Sequence, residues 1–360
     1  MGVPQYRLGF AVKILGRGGL ATADTRRWQS GPHLSRSLEL LERAFDYLDA
    51  NDLRVFRLSS GTVPYGTHPY LPELDYRRQI EGCAQELALL GAKARGYGLR
   101  LSTHPGQYTV LNAEDEDVRR KALLDVEQDA LLLDALGQGP DAVVVVHVGG
   151  RYADRARALD RWEQSFGQLS EQARRRIAVE HDERSFDLAD ALELHARTGA
   201  RVIFDLHHHR CNPAPAFGEL AGAVAAACRT WPVGVRPKVH LSSPRTELRE
   251  TGRGREVRLV APLLDQHADF ATPWDLLELL RAAPGSLDVM VEAKAKDLAV
   301  LWLRRQLERV APAAAAREAS RREEGSSTRS TRTSGQAPAG RATGRRRGAS
   351  PPPARTRAGS

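Results

Sequence analysis

The stretch VIFDLHHHRCNP, residues 202–213, begins with Val202, Ile203 and Phe204, a run suited to a sheet interior, and then delivers Asp205, His207, His208 and His209. Carboxylates and imidazoles at the end of an apolar strand are metal-ligand chemistry. The same ending recurs along the chain. RLSTHP closes on His104, AVVVVHVGG on His147 and IAVEHD on Glu180, while PKVHLSS carries Lys238 and His240, and DVMVEAKAK carries Glu292. His68 follows in YGTHP and His267 in QHADF. One such residue has a bland explanation: a lone histidine after a strand is usually a hydrogen-bonded core or loop residue, and a lone glutamate usually pairs with an arginine. The recurrence has none, because burying so many ionisable groups without partners costs several kcal/mol each. Imidazoles and carboxylates without thiolates suit Mn²⁺, Zn²⁺ or Fe²⁺. An ion takes about four to six ligands, so the set is sized for a cluster of about two or three ions. Such a cluster lowers the pKa of water and neutralises charge on a phosphate and its departing oxygen. Asp205 and His208 can face one site where the strand turns into a loop. His207 and His209 are expected to point elsewhere, one of them into supporting hydrogen bonds. Cys211 reads as structural.

These residues need a scaffold that gathers strand ends. Strand-like runs at 6–12, 54–60, 100–105, 142–150, 177–182, 201–208, 238–243 and 288–296 alternate with helical stretches. In SRSLELLERAFDYLDAND the apolar positions Leu38, Leu41, Ala44, Phe45 and Leu48 recur at helical spacing. QIEGCAQELALLGAKARGYG ends in Gly98, a helix terminator. This alternation predicts an α/β fold, the (β/α)8 TIM barrel, in which the C-terminal ends of all strands form one face that carries the active site. The rival, an open doubly wound sheet that binds a nucleotide, needs a glycine-rich first turn. GRGGLATADT lacks the G-x-G-x-x-G spacing and reads as a loop, so no nucleotide cofactor is expected.

A chain of 360 residues, 41% of them hydrophobic, can bury a large core. No apolar run approaches the roughly 18 residues of a membrane-spanning helix, so no membrane partner is expected. MGVPQYRLGF has no basic segment followed by an apolar one and does not read as a secretory signal. Cys83, Cys211 and Cys228 are far apart and odd in number, which points to a reducing, cytoplasmic setting. The formal charge of +8 is local: eleven arginines and three glutamates lie from Ala311 onward, leaving the preceding body neutral. That tail is almost free of large apolar residues and is expected to be disordered. The predicted organisation is a barrel domain at 1–310 and an Arg-rich tail at 311–360. The tail is either a solvated extension or a salt-sensitive phosphate contact.

The motifs LSTHPGQYTVLN, VVHVGG, VEHDERSF, FDLHHHRCNP, RPKVHLSSPR, QHADF and DVMVEAKAKDLA, in this order across residues 6–306, resemble the UV damage endonuclease family. The resemblance implies a TIM barrel related to that of endonuclease four, with a divalent metal cluster, manganese foremost and zinc or iron as alternatives. It implies a monomer that nicks damaged double-stranded DNA on the 5′ side of cyclobutane dimers, 6-4 products and some other lesions such as abasic sites. Carried over by motif, the metal ligands are His104, His147, Glu180, Asp205, His208, His240, His267 and Glu292. The same carry-over makes His68, Lys238 and Glu180 the catalytic set. His68 is then a histidine near the scissile phosphate, and Lys238 a lysine that the family can carboxylate beside the metals; a lysine holding a phosphate is the alternative. Gln107 and Tyr108 match a pair that wedges into the duplex where damaged bases leave it. Phe10 stands where a pocket tyrosine is often found and joins the DNA-binding set. His181 replaces the asparagine that better-known members carry after the strand-five glutamate.

The reaction so implied is phosphodiester hydrolysis that leaves a 3′-hydroxyl and a 5′-phosphate. Arg57, Arg151, Arg210, Arg236 and Arg245 are expected to hold the DNA backbone. Two other classes fit parts of the pattern. A metal-dependent sugar isomerase or epimerase on the same barrel would need no wedge. A DNA-binding module without catalysis would lack a ligand, and none is missing.

Overall fold

The computed structural model describes residues 3–106 and 108–319, apart from the side chain of Arg255. Seven parallel strands come first: β1 (Tyr6–Ala11), β2 (Val55–Arg57), β3 (Arg100–Thr103), β4 (Val143–His147), β5 (Ile177–Glu180), β6 (Arg201–Asp205) and β7 (Lys238–Leu241). A short antiparallel hairpin, β8 (Arg249–Thr251) and β9 (Arg258–Val260), interrupts the connection to the last barrel strand, β10 (Leu287–Val291). Each barrel strand pairs with the next, and β10 returns to β1, with Tyr6 beside Leu287 and Phe10 beside Val291. The eight strands thus close the (β/α)8 barrel that the alternation predicts. Its outer layer is Leu34–Ala50, Ala84–Gly96, Glu116–Ala135, Arg155–Gln168, Leu188–Thr198, Leu220–Cys228, Pro273–Ala282 and Lys296–Val310.

Side chains of a strand alternate between two faces. One parity points outward, and Leu8, Phe10, Phe56, Leu101, Val146, Phe204, Val239 and Val289 pack there against helix residues such as Leu38, Leu41 and Phe45. The other parity fills the barrel. Its apolar part is thin: Val143, Val145, Ala178 and Ile203 with Trp231 on one side, Ala11, Val55 and Met290 on the other. The rest is polar. At the N-terminal end Asp288 accepts from Arg7 and Arg100, each at 2.7 Å. Burial alone would raise the Asp288 carboxyl, but Arg7, Arg100 and Arg236 overcome it and hold it at about 2. Gly9 permits the closest approach of β1 to β2: a Cβ there would lie 1.9 Å from the Val55 carbonyl oxygen.

Two local expectations change. The second predicted helix breaks at Cys83 (φ −109, ψ 22) into Tyr76–Gly82 and Ala84–Gly96. The break follows Gly82, a weak helix former. Its end is as predicted, with Gly98 at φ +66. The ordered chain also continues past residue 310. Pro312–Ala315 forms a further helical turn, Tyr6 N donates to Arg317 O and Ala319 N to Tyr6 O, and Glu318 pairs with Arg304 at 2.8 Å. This return is held by backbone and charge, so its poverty in large apolar residues hid it. The tail from residue 320 onward lies outside the described residues. Among the described residues no helix is long and apolar enough to cross a membrane.

Candidate metal centre

The inward parity of six of the eight barrel strands leads to a candidate ligand at the C-terminal end: Ser102 to His104, Val145 to His147, Ala178 to Glu180, Ile203 to Asp205, Lys238 to His240, and Met290 to Glu292. Glu180 lies at their centre. Its Oε2 is 3.5 Å from His104 Nε2 and 3.8 Å from His147 Nε2. Its Oε1 is 2.8 Å from His240 Nδ1 and 3.4 Å from His208 Nδ1. Two groups of ligand atoms result, each within 4.8 Å of one another: His104, His147 and Glu180, and Glu180, Asp205, His240 and Glu292. Glu180 belongs to both.

The unusual strand end of the opening motif has a local cause. Asp205 ends β6 and caps the short helix Leu206–Cys211, its Oδ1 accepting from His208 N at 2.9 Å. One helical turn therefore brings His208 back over the strand end. His208 Nδ1 donates to the His181 carbonyl at 3.0 Å, which leaves Nε2 as the ring nitrogen available to an ion; against the effect of burial, Asp205 and Glu180 hold the imidazole well above the usual histidine range. His267 Nδ1 is fixed the same way on the Glu292 carbonyl at 2.8 Å. The rings of His208 and His267 lie 5.7 Å apart and those of His147 and His208 5.8 Å apart, so these two imidazoles flank the groups above. His207 turns instead toward Cys211, and His209 toward Phe204. His181 is buried and its Nε2 accepts from Asp205 N at 3.1 Å, so it positions the strand that carries Asp205. Burial depresses His181 to about 3.

The residues fit a divalent cation. Glu180 Oε2, Asp205 Oδ2 and His240 Nε2 are buried without a hydrogen-bond partner among the described residues, and all three are electron-pair donors. A buried orphan of this kind needs a partner, and an ion supplies one to all three. Burial alone would raise the Glu180 carboxyl, but His240, His147 and His104 overcome it and hold it well below the carboxylate range. Burial is likewise outweighed at Glu292 by Arg57 and His240, which keep it ionised. Burial lowers His104 to about 4, leaving the neutral ligand form.

Lys238 is fully buried beneath this cluster, its Nζ donating to Ser102 Oγ at 2.5 Å. Burial, then Arg100 and Arg57, pull its ammonium well below the usual lysine range. His68 does not join the ligand groups: it is exposed on the loop after β2, its ring 6.1 Å from that of Tyr65 and 6.0 Å from that of Tyr70. Tyr108 is 75% exposed on the loop after β3. Gln107 lies outside the described residues. Asp125 ties the two loops together, accepting from Thr67 Oγ1 at 2.7 Å and from Thr109 Oγ1 at 2.9 Å. The VGG of the β4 motif is also explained: Gly149 has φ +110, a Cβ on it would meet Asn112 Oδ1 at 2.3 Å, and Asn112 bonds both N–H and C=O of Gly150.

Two expectations are corrected. Phe10 has the outward parity of β1, is fully buried and packs edge-on against Phe56 at 5.3 Å, so it is a core residue closed to DNA. Arg236 precedes β7 at the opposite end of the barrel and faces Asp288 at 3.4 Å, out of reach of this site. Arg57 is engaged by Glu292, Arg210 by Asp275 and Glu278, and Arg245 lies 3.7 Å from Glu247. Arg151 is exposed without a carboxylate partner among the described residues. Lys294 and Lys296, which motif and spacing do not single out, line a cavity of about 450 Å³ with Arg57, His208, His267 and Glu292. Their signal was the repeated lysine directly after Glu292. Non-glycine residues with positive φ also gather here: Val12, Arg17, Tyr65, Tyr152 and Lys296 all follow barrel strands on this face, with Asp52 alone elsewhere.

A family model described as UV-endonuclease UvdE matches residues 34–317. A UV DNA damage endonuclease from Bacillus velezensis is 30% identical over 316 residues, covering 84% of this chain and 94% of the relative. Among solved structures SacUVDE superposes with a TM-score of 0.71 at 24% identity, over 85% of this chain and 99% of that one. Endonuclease IV from Thermus thermophilus superposes with a TM-score of 0.50 at 17% identity, over 85% of this chain and 98% of that one, which places its barrel in the same architecture. The matched residues run from the first barrel helix to the C-terminal return onto β1 and enclose every candidate ligand: this chain belongs to the UV-endonuclease UvdE family.

Proposed function

We propose that this protein is a metal-dependent DNA endonuclease that cuts the backbone immediately 5′ to cyclobutane dimers and 6-4 products, and at abasic sites, and so initiates excision repair. The observation that carries the reading is Glu180, shared by two ligand groups whose buried donor atoms lack protein partners. His104, His147, Glu180, Asp205, His208, His240, His267 and Glu292 would hold about two or three ions, Mn²⁺ first, with Zn²⁺ or Fe²⁺ as the alternatives. Bound there, the ions supply acidified water and positive charge for phosphoryl chemistry.

The chain's own residues do the rest. His240 Nδ1–H holds Glu180, which keeps His240 Nε2 free as a ligand. Arg57 fixes the Glu292 carboxylate. Lys294 and Lys296 hold phosphate oxygens at the cavity mouth, and Arg151 does so on the rim. Tyr108, held out by its loop, enters the stack with Gln107 where damaged bases leave it. His68 stands beside the scissile phosphate on the loop that Asp125 ties to the wedge loop. Water attacks phosphorus, the bond to the 3′ oxygen breaks, and that oxygen takes a proton, leaving a 3′-hydroxyl and a 5′-phosphate. Lys238 is buried in the amine form that captures CO₂: its nitrogen bonds the carbon and releases a proton, giving a carbamate anion among Arg57, Arg100 and the cluster. The enzyme acts as a monomer in the cytoplasm, on the nucleoid, without a nucleotide cofactor.

Glu180→Ala and Asp205→Ala test this reading. Both are expected to abolish nicking of a dimer-containing duplex while the far-UV circular dichroism of the barrel persists. Full activity in either variant would overturn the cluster as drawn.

A further inference from the structure

The connection between β7 and β10 carries the β8–β9 hairpin, and its base is fixed at the metal centre. Pro244 bridges His267, Arg245 N donates to Gln266 O at 2.7 Å, and Asp265 takes Arg184 from the loop after β5. Asp265, Gln266 and His267 line the cavity at the cluster. The hairpin therefore springs from the rim of the candidate site.

Its pairing sorts its side chains. Arg249 lies opposite Val260, Glu250 opposite Leu259, and Thr251 opposite Arg258. Residues directly opposite share a face, so Arg249 and Arg258 project from one side and Leu259 from the other. Alternation continues the Leu259 side with Leu248 and Val257. Leu248, Val257 and Leu259 are 60%, 48% and 64% exposed, an apolar ridge that no described residue covers and that Glu250, opposite Leu259 on the same face, interrupts. Such ridges mark interaction sites. Arg249 and Arg258 have no carboxylate partner among the described residues, and residues 245–260 hold five arginines against three glutamates. Unpaired cations and exposed aliphatics on one slender ribbon, beside a site for phosphoryl chemistry, match the chemistry of a duplex groove: anionic rims and apolar sugar walls.

We propose that this hairpin is a DNA arm that enters a groove of the duplex beside the lesion. Leu248, Val257 and Leu259 pack on deoxyribose and base edges, and Arg249 and Arg258 hold phosphates across the groove. A two-stranded ribbon is a known size match for a DNA groove, and apolar insertion supports a kinked duplex. The inference rests on the endonuclease reading above and deepens it by adding a gripping element apart from the ligands and the wedge.

The test uses the full chain, metal-loaded, on a duplex with one defined dimer. Leu248→Ser/Leu259→Ser and Arg249→Gln/Arg258→Gln are compared with the unaltered protein for Kd, KM, kcat and mass by sedimentation. All four side chains are exposed or at the surface, so the barrel should fold in both variants. Each pair is expected to raise Kd and KM by about tenfold with kcat nearly unchanged, and the arginine pair to lower the salt slope of binding by about two. Unchanged Kd and salt slope in both variants would overturn the arm. So would a dimer in the unaltered protein that the leucine variant dissociates without change in DNA affinity. If the unaltered protein binds lesion DNA but never nicks it, the endonuclease reading fails, and the two Kd values still decide the arm.

Discussion

Glu180 places one oxygen toward His104 and His147 and the other toward His240 and His208. A neutral amide in that position keeps the volume but offers only one acceptor and no charge. Glu180→Gln is therefore expected to lose bound metal and to lower nicking by more than the ~10–100-fold typical of a supporting residue; metal content after desalting and a nicking rate check it. His181 is such a supporting residue, because its Nε2 accepts from Asp205 N and its carbonyl accepts from His208. His181→Leu removes the first bond and spares the second, so metal affinity should fall ~10–100-fold while the fold persists. A competitive metal titration measures this. The convergence of His104, His147, Glu180, Asp205, His240 and Glu292 was legible in the sequence because each of these candidates stands at the end of an apolar strand, where a buried ionisable group demands a partner. Phe10 differs from its expected role because position alone does not give parity: it lies near the C-terminal end of β1 but faces the helices. His68 has the right residue type, yet its distance from the cluster is set by loop shape, which spacing does not encode.

The helix Glu116–Ala135 shows how an element serves the site from behind. Its Asp125 joins the loop that carries His68 to the loop that carries Tyr108. Asp125→Ala frees both loops, and KM for lesion DNA should rise with little change in metal content, as steady-state kinetics and elemental analysis would show. One turn on, Asp129 is buried, and its carboxyl is pushed up to about 8 by that burial. In the unfolded chain the same group ionises near its ordinary value of 3.8. Above that value the unfolded state gives up a proton that the fold retains, so Asp129 costs stability progressively between about pH 4 and about pH 8. Asp129→Asn removes this cost. The gain in Tm over the unaltered protein should be larger at pH 8 than at pH 5, and an equal gain at both would contradict the assignment. The barrel strands were legible because their outward parity is continuous hydrophobe. The β8–β9 hairpin was not, since its strands span three residues each and are rich in Arg and Glu. The return of residues 312–319 onto β1 escaped for a related reason: backbone bonds and the Arg304–Glu318 pair hold it.

Across the whole molecule the two ends of the barrel divide the work. The N-terminal end is closed by Arg7, Arg100 and Arg236, which converge on the buried Asp288. The C-terminal end leaves ligand atoms unpaired, keeps five strained non-glycine residues in its loops and exposes Tyr65, Tyr70, Tyr108 and Tyr152. Strain and open valence of this kind belong to a working face. The net charge of +8 says little about that face, because it resides in the arginines after Ala311. On the proposed reading the C-terminal face cuts damaged DNA with bound metal. The most direct measurement is incision of a duplex carrying one cyclobutane dimer, with the cut mapped, before and after chelation. A single cut immediately 5′ to the dimer, lost on chelation and restored by Mn²⁺, is expected. A folded, metal-loaded protein that leaves both dimer and abasic duplexes intact, or one that cuts equally well after chelation, would contradict it.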